Sequence, residues 1–167
     1  MHTASKLSLA VVALLAIGAT AAQAQSASIQ ATATVNTPLT VTGTAPLAFG
    51  TVFPGLAKVV APADANSGRF TILGQTGAEV SITFPGLPTN LTGPGNLPIG
   101  TYTGTHNNTN AAGGTIFTPS AASTLAVLDA GTGNRYIFVG ATVTPGVAQA
   151  AGAYTGTITM NVVYTGN

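Results

Sequence analysis

Residues 154–164 read Tyr-Thr-Gly-Thr-Ile-Thr-Met-Asn-Val-Val-Tyr. Tyr154, Gly156, Ile158, Met160, Val162 and Tyr164 share one parity. Thr155, Thr157, Thr159 and Asn161 share the other, with Val163 the exception. A period of two sustained over this length is the pattern of a strand with one face in a core and one in water. The reading predicts a long, half-buried C-terminal strand whose core face is Tyr154, Ile158, Met160, Val162 and Tyr164.

Working outward, Tyr136–Val143 is apolar on both parities, which suits a central strand covered on both sides. Val80, Ile82 and Phe84 alternate behind the turn Gly74-Gln75-Thr76-Gly77, itself preceded by a short strand over Arg69–Leu73. Thr124–Leu128 reads as another short strand. In Pro46–Gly55, Leu47 and Phe49 can face inward together before a turn at Pro54-Gly55. Asp64–Gly68 reads as a loop, Pro85–Gly100 as irregular chain, and the polar Gly104–Gly114 as an exposed loop. Nothing in residues 25–167 carries a 3.6-residue stripe; Val147–Ala153 has room for one helical turn at most. About seven or eight short strands with Gly/Pro turns between them predict an all-β chain folded as a single antiparallel β-sandwich over residues 25–167.

The start of the chain divides in two. Lys6, an apolar run from Leu7 to Ala19 and the small-x-small triplet Ala22-Gln23-Ala24 have the layout of a secretory signal peptide. The run is short of the ~20 residues that span a bilayer. Residues 1–24 are therefore expected to be removed after Ala24, with no membrane span in the remainder. The product is expected in the periplasm, at the cell surface or outside the cell. Behind the cleavage site Ala27, Ile29, Ala31, Ala33 and Val35 alternate with Ser and Thr and with Gln30. The parity resumes at Leu39 and Val41 beyond Pro38, a residue confined to strand edges, starts or bulges. Gln25–Asn36 is thus either the first strand of its own sandwich, at an edge, or a strand offered to another chain; alternation is what both roles require.

Composition excludes more chemistry than it suggests. The 167 residues include 4 Lys+Arg and 3 Asp+Glu, with no Cys and no Trp. A net charge of +1 gives no electrostatic footprint for nucleic acid. Without cysteine there is no disulfide, thiol catalysis or thiolate-bound metal. Beyond the signal segment Lys58, Arg69 and Arg135 balance Asp64, Glu79 and Asp129, and a near-neutral surface associates easily. Beyond residue 24 the one histidine, His106, falls in Thr105-His106-Asn107-Asn108, where it is expected to be solvated and dispensable. Asp64-Ala65-Asn66-Ser67-Gly68 opens like a calcium loop, but the twelfth position is Gln75 where a bidentate Glu belongs. No catalytic residue, cofactor site or metal site is expected.

Three segments are specific: PLAFGTVFPG at 46–55, GRFTILGQTGAEVSITFP at 68–85, and YIFVGATVTPGVAQAAGAYTGTITMNVVYTG at 136–166. In this order they resemble the bacterial domain-of-unknown-function family 4402. The layout is also similar to the spore coat protein U and archaic chaperone–usher pilin group, which begins with an ATATV-like strand and ends on a comparable alternating one. The absence of cysteine and the small side chains of the N-terminal segment depart from that group. The resemblance implies an immunoglobulin-like sandwich displayed at the cell surface. It also implies self-association or other surface subunits as partners, and a periplasmic chaperone and usher for export. It brings no catalytic residues.

The expected function is that of a non-enzymatic, pilin-like or matrix subunit, a fimbrial kind of structural protein that assembles by β-strand addition. The strand-addition residues would be Ala27, Ile29, Ala31, Ala33 and Val35. The alternative is a secreted adhesin or carbohydrate-binding sandwich using the loops at 85–100 and 104–114.

Overall fold

The computed structural model describes residues 25–166; the signal segment expected over 1–24 lies outside the described residues. Ten strands and no helix are formed among these residues: β1 (Thr40–Ala45), β2 (Lys58–Val60), β3 (Gly68–Leu73), β4 (Glu79–Thr83), β5 (Asn90–Thr92), β6 (Asn96–Asn107), β7 (Thr115–Phe117), β8 (Thr124–Val127), β9 (Asn134–Val143) and β10 (Asn161–Tyr164). They make two antiparallel sheets. The larger has the order β1-β3-β9-β6-β5, with β2 also beside β9 and β7 beside β6; the smaller is β10-β4-β8. The chain is an all-β antiparallel sandwich.

The apolar parities named above explain which residues meet between the sheets. Ile72 of β3 and Ile137 and Val139 of β9 come from the large sheet. Val80 and Ile82 of β4 and Ala126 of β8 come from the small one, and Phe84, Leu128 and Met160 complete the buried cluster. Phe84 sits edge-on to Phe70, with centroids 6.2 Å apart, and stacks with Phe117 at 6.0 Å. Fully burying a side chain of this size contributes about 1.5–3 kcal/mol. β9 is central because it is covered on both faces, and β3 and β6 flank it. A second cluster of Leu97, Ile99, Ala141 and Val143 lies farther along β6 and β9, with Leu47, Phe49, Val52, Leu91, Tyr102 and Tyr154 packed around it.

Three expectations are corrected. Pro85–Gly100 is not irregular: it contains β5 and the start of β6, paired as a hairpin. Gly104–Asn107 is the last third of β6, not exposed loop; a loop follows only at 108–114. The C-terminal strand forms a ladder only over Asn161–Tyr164, against Val80–Thr83. Continuing that register would set Met160 against Phe84 and Thr159 against Pro85. Thr159 and Pro85 would be a hydrogen-bonding pair, and Pro85 has no N–H to donate. Gln25–Leu39 forms no strand with the rest of the described residues.

Candidate functional site

The ends of the two sheets part along one side. There a groove of about 980 Å³ lies between two segments, Gly43–Val52 and Gly152–Ile158. The first begins as the end of β1, an edge strand whose outer side has no partner strand among the described residues, and continues outside any ladder. Leu47 and Phe49 are half-buried with exposed Ala48 between them, so they keep the expected inward parity without belonging to a ladder. This lip is held by Ala48 N–H donating to the Asn66 carbonyl at 3.0 Å and by Lys58 Nζ donating to the Thr51 carbonyl at 3.0 Å. The Cα of Gly68 lies so close beneath Leu47 that an added Cβ would stand 3.2 Å from the Leu47 Cβ.

The second lip is the part of the C-terminal alternation that found no partner. Thr155 makes an isolated bridge to Thr92, with both main-chain bonds in place at 2.8 and 2.9 Å. Residues 156–160 then belong to no ladder. Phe70, Pro88, Leu91, Leu97, Ile99 and Val139 form the apolar floor, so the opening exposes the side of the core. At this site an extended main chain would find unpaired backbone at both lips and apolar side chains beneath. Such a site binds a β-strand: main-chain bonds give affinity and alternate side chains fill the floor.

The residues expected to form the core face of the last strand are distributed along this side. Met160 is buried, with 7% of its surface exposed, and packs in the first cluster. Ile158, Val162 and Tyr164 are half-buried against that cluster, and Tyr154 packs against the second. Thr155, Thr157, Thr159, Asn161 and Val163 are exposed. Of the residues expected to add as a strand, Ala27, Ile29, Ala31, Ala33 and Val35 are exposed, Ile29 at 95% and Val35 at 93%.

Other candidate groups resolve into structural roles. His106 is not solvated. It is 4% exposed inside β6, 5.7 Å from the Phe117 ring, and its Nδ1 accepts from Arg135 Nε at 3.0 Å and contacts Arg135 Nη2. Burial, followed by the charge of Arg135, lowers its pKa from 6.5 to about 4. Asp64 Oδ2 accepts the Ala61 N–H at 2.8 Å and closes its own loop. Asp129 caps the turn before β9 with Oδ1, which accepts from Thr132 Oγ1, Thr132 N–H and Gly131 N–H; those bonds hold its pKa below the usual range. Three of the four tyrosines commit their hydroxyls to main chain: Tyr102 to Pro88 at 2.7 Å, Tyr154 to Ala150 at 2.7 Å and Tyr164 to Thr37 at 2.8 Å. Burial pushes the Tyr102 phenol up to about 12. Among the described residues no helix is long and apolar enough to cross a membrane.

No protein-family model matches the chain, and no curated protein and no solved structure matches it.

Proposed function

We propose that this chain is a non-enzymatic structural subunit of a surface fibre or matrix, and that its groove accepts the Gln25–Asn36 segment of a second copy. The observation that carries the reading is the groove itself: an opening onto apolar core between an unpaired edge strand and a second lip that pairs only at Thr155. The length and alternation of the N-terminal segment support this choice of occupant, since one parity is apolar from Ala27 to Val35 and both Ile29 and Val35 are exposed. Burying those two side chains would contribute about 1.5–3 kcal/mol each, and the alanines less. Most of the affinity therefore comes from main-chain hydrogen bonds along the lips. Near-neutral charge beyond the signal segment removes the repulsion that keeps copies apart. The Lys6–Ala24 segment supports export to the periplasm or cell surface. The motif resemblance supports an immunoglobulin-like, pilin-like role, with a periplasmic chaperone and usher as partners before assembly.

The test compares the full chain with one lacking residues 25–36, by electron microscopy and thermal unfolding. The full chain is expected to form fibres and the truncated chain to remain monomeric without loss of Tm. A peptide of residues 25–36 should raise the Tm of the truncated chain by mass action. Dispersed full-length particles, or a truncated chain that no longer unfolds cooperatively, would overturn the reading.

A further inference from the structure

Immediately behind the proposed donor segment, Thr37 is fastened to the sandwich from both sides of its peptide unit. Its carbonyl accepts the Tyr164 hydroxyl at 2.8 Å. Its N–H and its own hydroxyl donate to Gln75 Oε1 at 3.3 and 2.9 Å. The Gln75 N–H in turn donates to the Tyr164 oxygen at 2.6 Å. One phenol thus ties together the base of the N-terminal segment, the β3–β4 turn and the last strand. The node is built around a missing side chain: a Cβ on Gly74 would collide with the Tyr164 oxygen and stand 2.8 Å from Leu39 and 2.9 Å from Leu128. Pro38 follows, and it bars the residue before it from the helical region.

These features bear on a choice the chain must make. The unpaired edge of β1 begins at Thr40, only four residues beyond Asn36. If the chain reversed over Asn36–Leu39, Val35 and the residues before it would run back along β1 toward the chain's own groove. A tight two-residue hairpin needs positive φ, and Thr101 is the one non-glycine residue with positive φ among the described residues. A four-residue hairpin loop is usually built on helical conformations at its centre, which Pro38 denies to Thr37. The polar groups of Thr37 that could close such a loop are held by Gln75 and Tyr164.

We propose that the Thr37–Gln75–Tyr164 node, with Pro38, is a positioning clamp: it prevents residues 25–36 from folding back into their own groove and so reserves them for a second copy. This rests on the strand-addition reading and assigns the choice between self-closure and exchange to named residues.

The test uses the full chain with Pro38→Gly, which alters an exposed residue outside the core, and separately with Tyr164→Phe and Pro38→Gly together. Fibre mass is measured by sedimentation, and proteolysis of residues 25–36 is followed in the soluble fraction. The expected result is a loss of fibre mass of about tenfold in the double variant, the scale of one or two lost hydrogen bonds. A new monomer should appear in which the segment resists cleavage, with a smaller shift in the same direction for Pro38→Gly alone. Fibres at the wild-type level in both variants would overturn the clamp and leave strand addition standing. Loss of fibres with the segment still freely cleaved in the monomer would also overturn it, as a merely structural role predicts. If the unaltered chain forms no fibres and the 25–36 peptide leaves the truncated chain's Tm unmoved, strand addition fails and the clamp with it.

Discussion

His106 accepts hydrogen bonds from a guanidinium that has only donors, so its Nδ1 carries no proton and the ring is neutral in the folded chain. Arg135 also donates to the Val127 carbonyl at 3.1 Å and to Asn108, and no carboxylate is bonded to either ring or guanidinium among the described residues. Acid would place two cations in contact beside Phe117. Unfolded, the ring titrates near 6.5; folded, it does so at about 4. Between those values the unfolded state holds the extra proton, so stability rises with pH across that window and is lost progressively as pH falls through it. Denaturant unfolding at several pH values should show this slope, and His106→Gln should flatten it. His106→Ala should cost about 1–3 kcal/mol at neutral pH, because it empties the buried ring site beside Phe117 and takes one acceptor from the half-buried Arg135 guanidinium. The burial of His106 was hidden in the sequence by one local event. β6 shifts register against β9 between Gly100 and Thr103, where Thr101 takes φ 47°. Leu97 and Ile99 face inward on odd numbers before the shift, and Gly104 and His106 are buried on even numbers after it. A reading by parity finds no continuous period across such a bulge.

Among the elements, the C-terminal alternation shows what periodicity can and cannot tell. It assigns which side chains turn inward, because parity is a property of an extended chain whether or not a neighbour pairs with it. It says nothing about how far the ladder runs, which here ends short of Pro85. β9 was legible because both of its faces are apolar; β5 was not, because Asn90–Thr92 is three residues long among prolines and glycines. The unpaired stretch leads to a paired prediction. Ile158→Asp should destabilise the fold by about 3–5 kcal/mol, since the charge would face the Met160 cluster without a partner. Thr157→Asp, on the exposed side, should stay within about 0.5 kcal/mol. Chemical denaturation of the two variants makes the comparison. Equal losses would mean that both faces of this lip are covered.

Over residues 35–166 the two apolar clusters are unequal. The first is enclosed by both sheets, whereas the second borders the groove and leans on Leu47, Phe49 and Val52, which lie outside any ladder. Amide exchange should therefore be slowest in β3, β4 and β9 around Ile72, Val80 and Ile137, and fast over Pro46–Leu56 and Gly156–Thr159. Adding the 25–36 peptide should slow exchange along both lips and leave the enclosed cluster unchanged. Slow exchange of the lips in the free monomer would show that they are already paired. The groove itself could not be anticipated from sequence. It arises where two segments with good strand patterns fail to find partners, and pattern alone does not report that failure.

The knot of hydrogen bonds at Thr37 has a mechanical consequence. A pull applied to the N-terminal segment enters the folded part of the chain at Thr37 before it reaches β1. Tyr164 and Gln75 divide the load there, one into the small sheet and the other into the turn that joins the two sheets. Behind it, the six residues of β1 run antiparallel to β3, so tension along the chain loads their ladder in shear, with its bonds resisting together. The N-terminal segment, which forms no strand itself, is thus anchored at its root to both sheets, so a pull on it is shared between them and does not peel β1 away bond by bond.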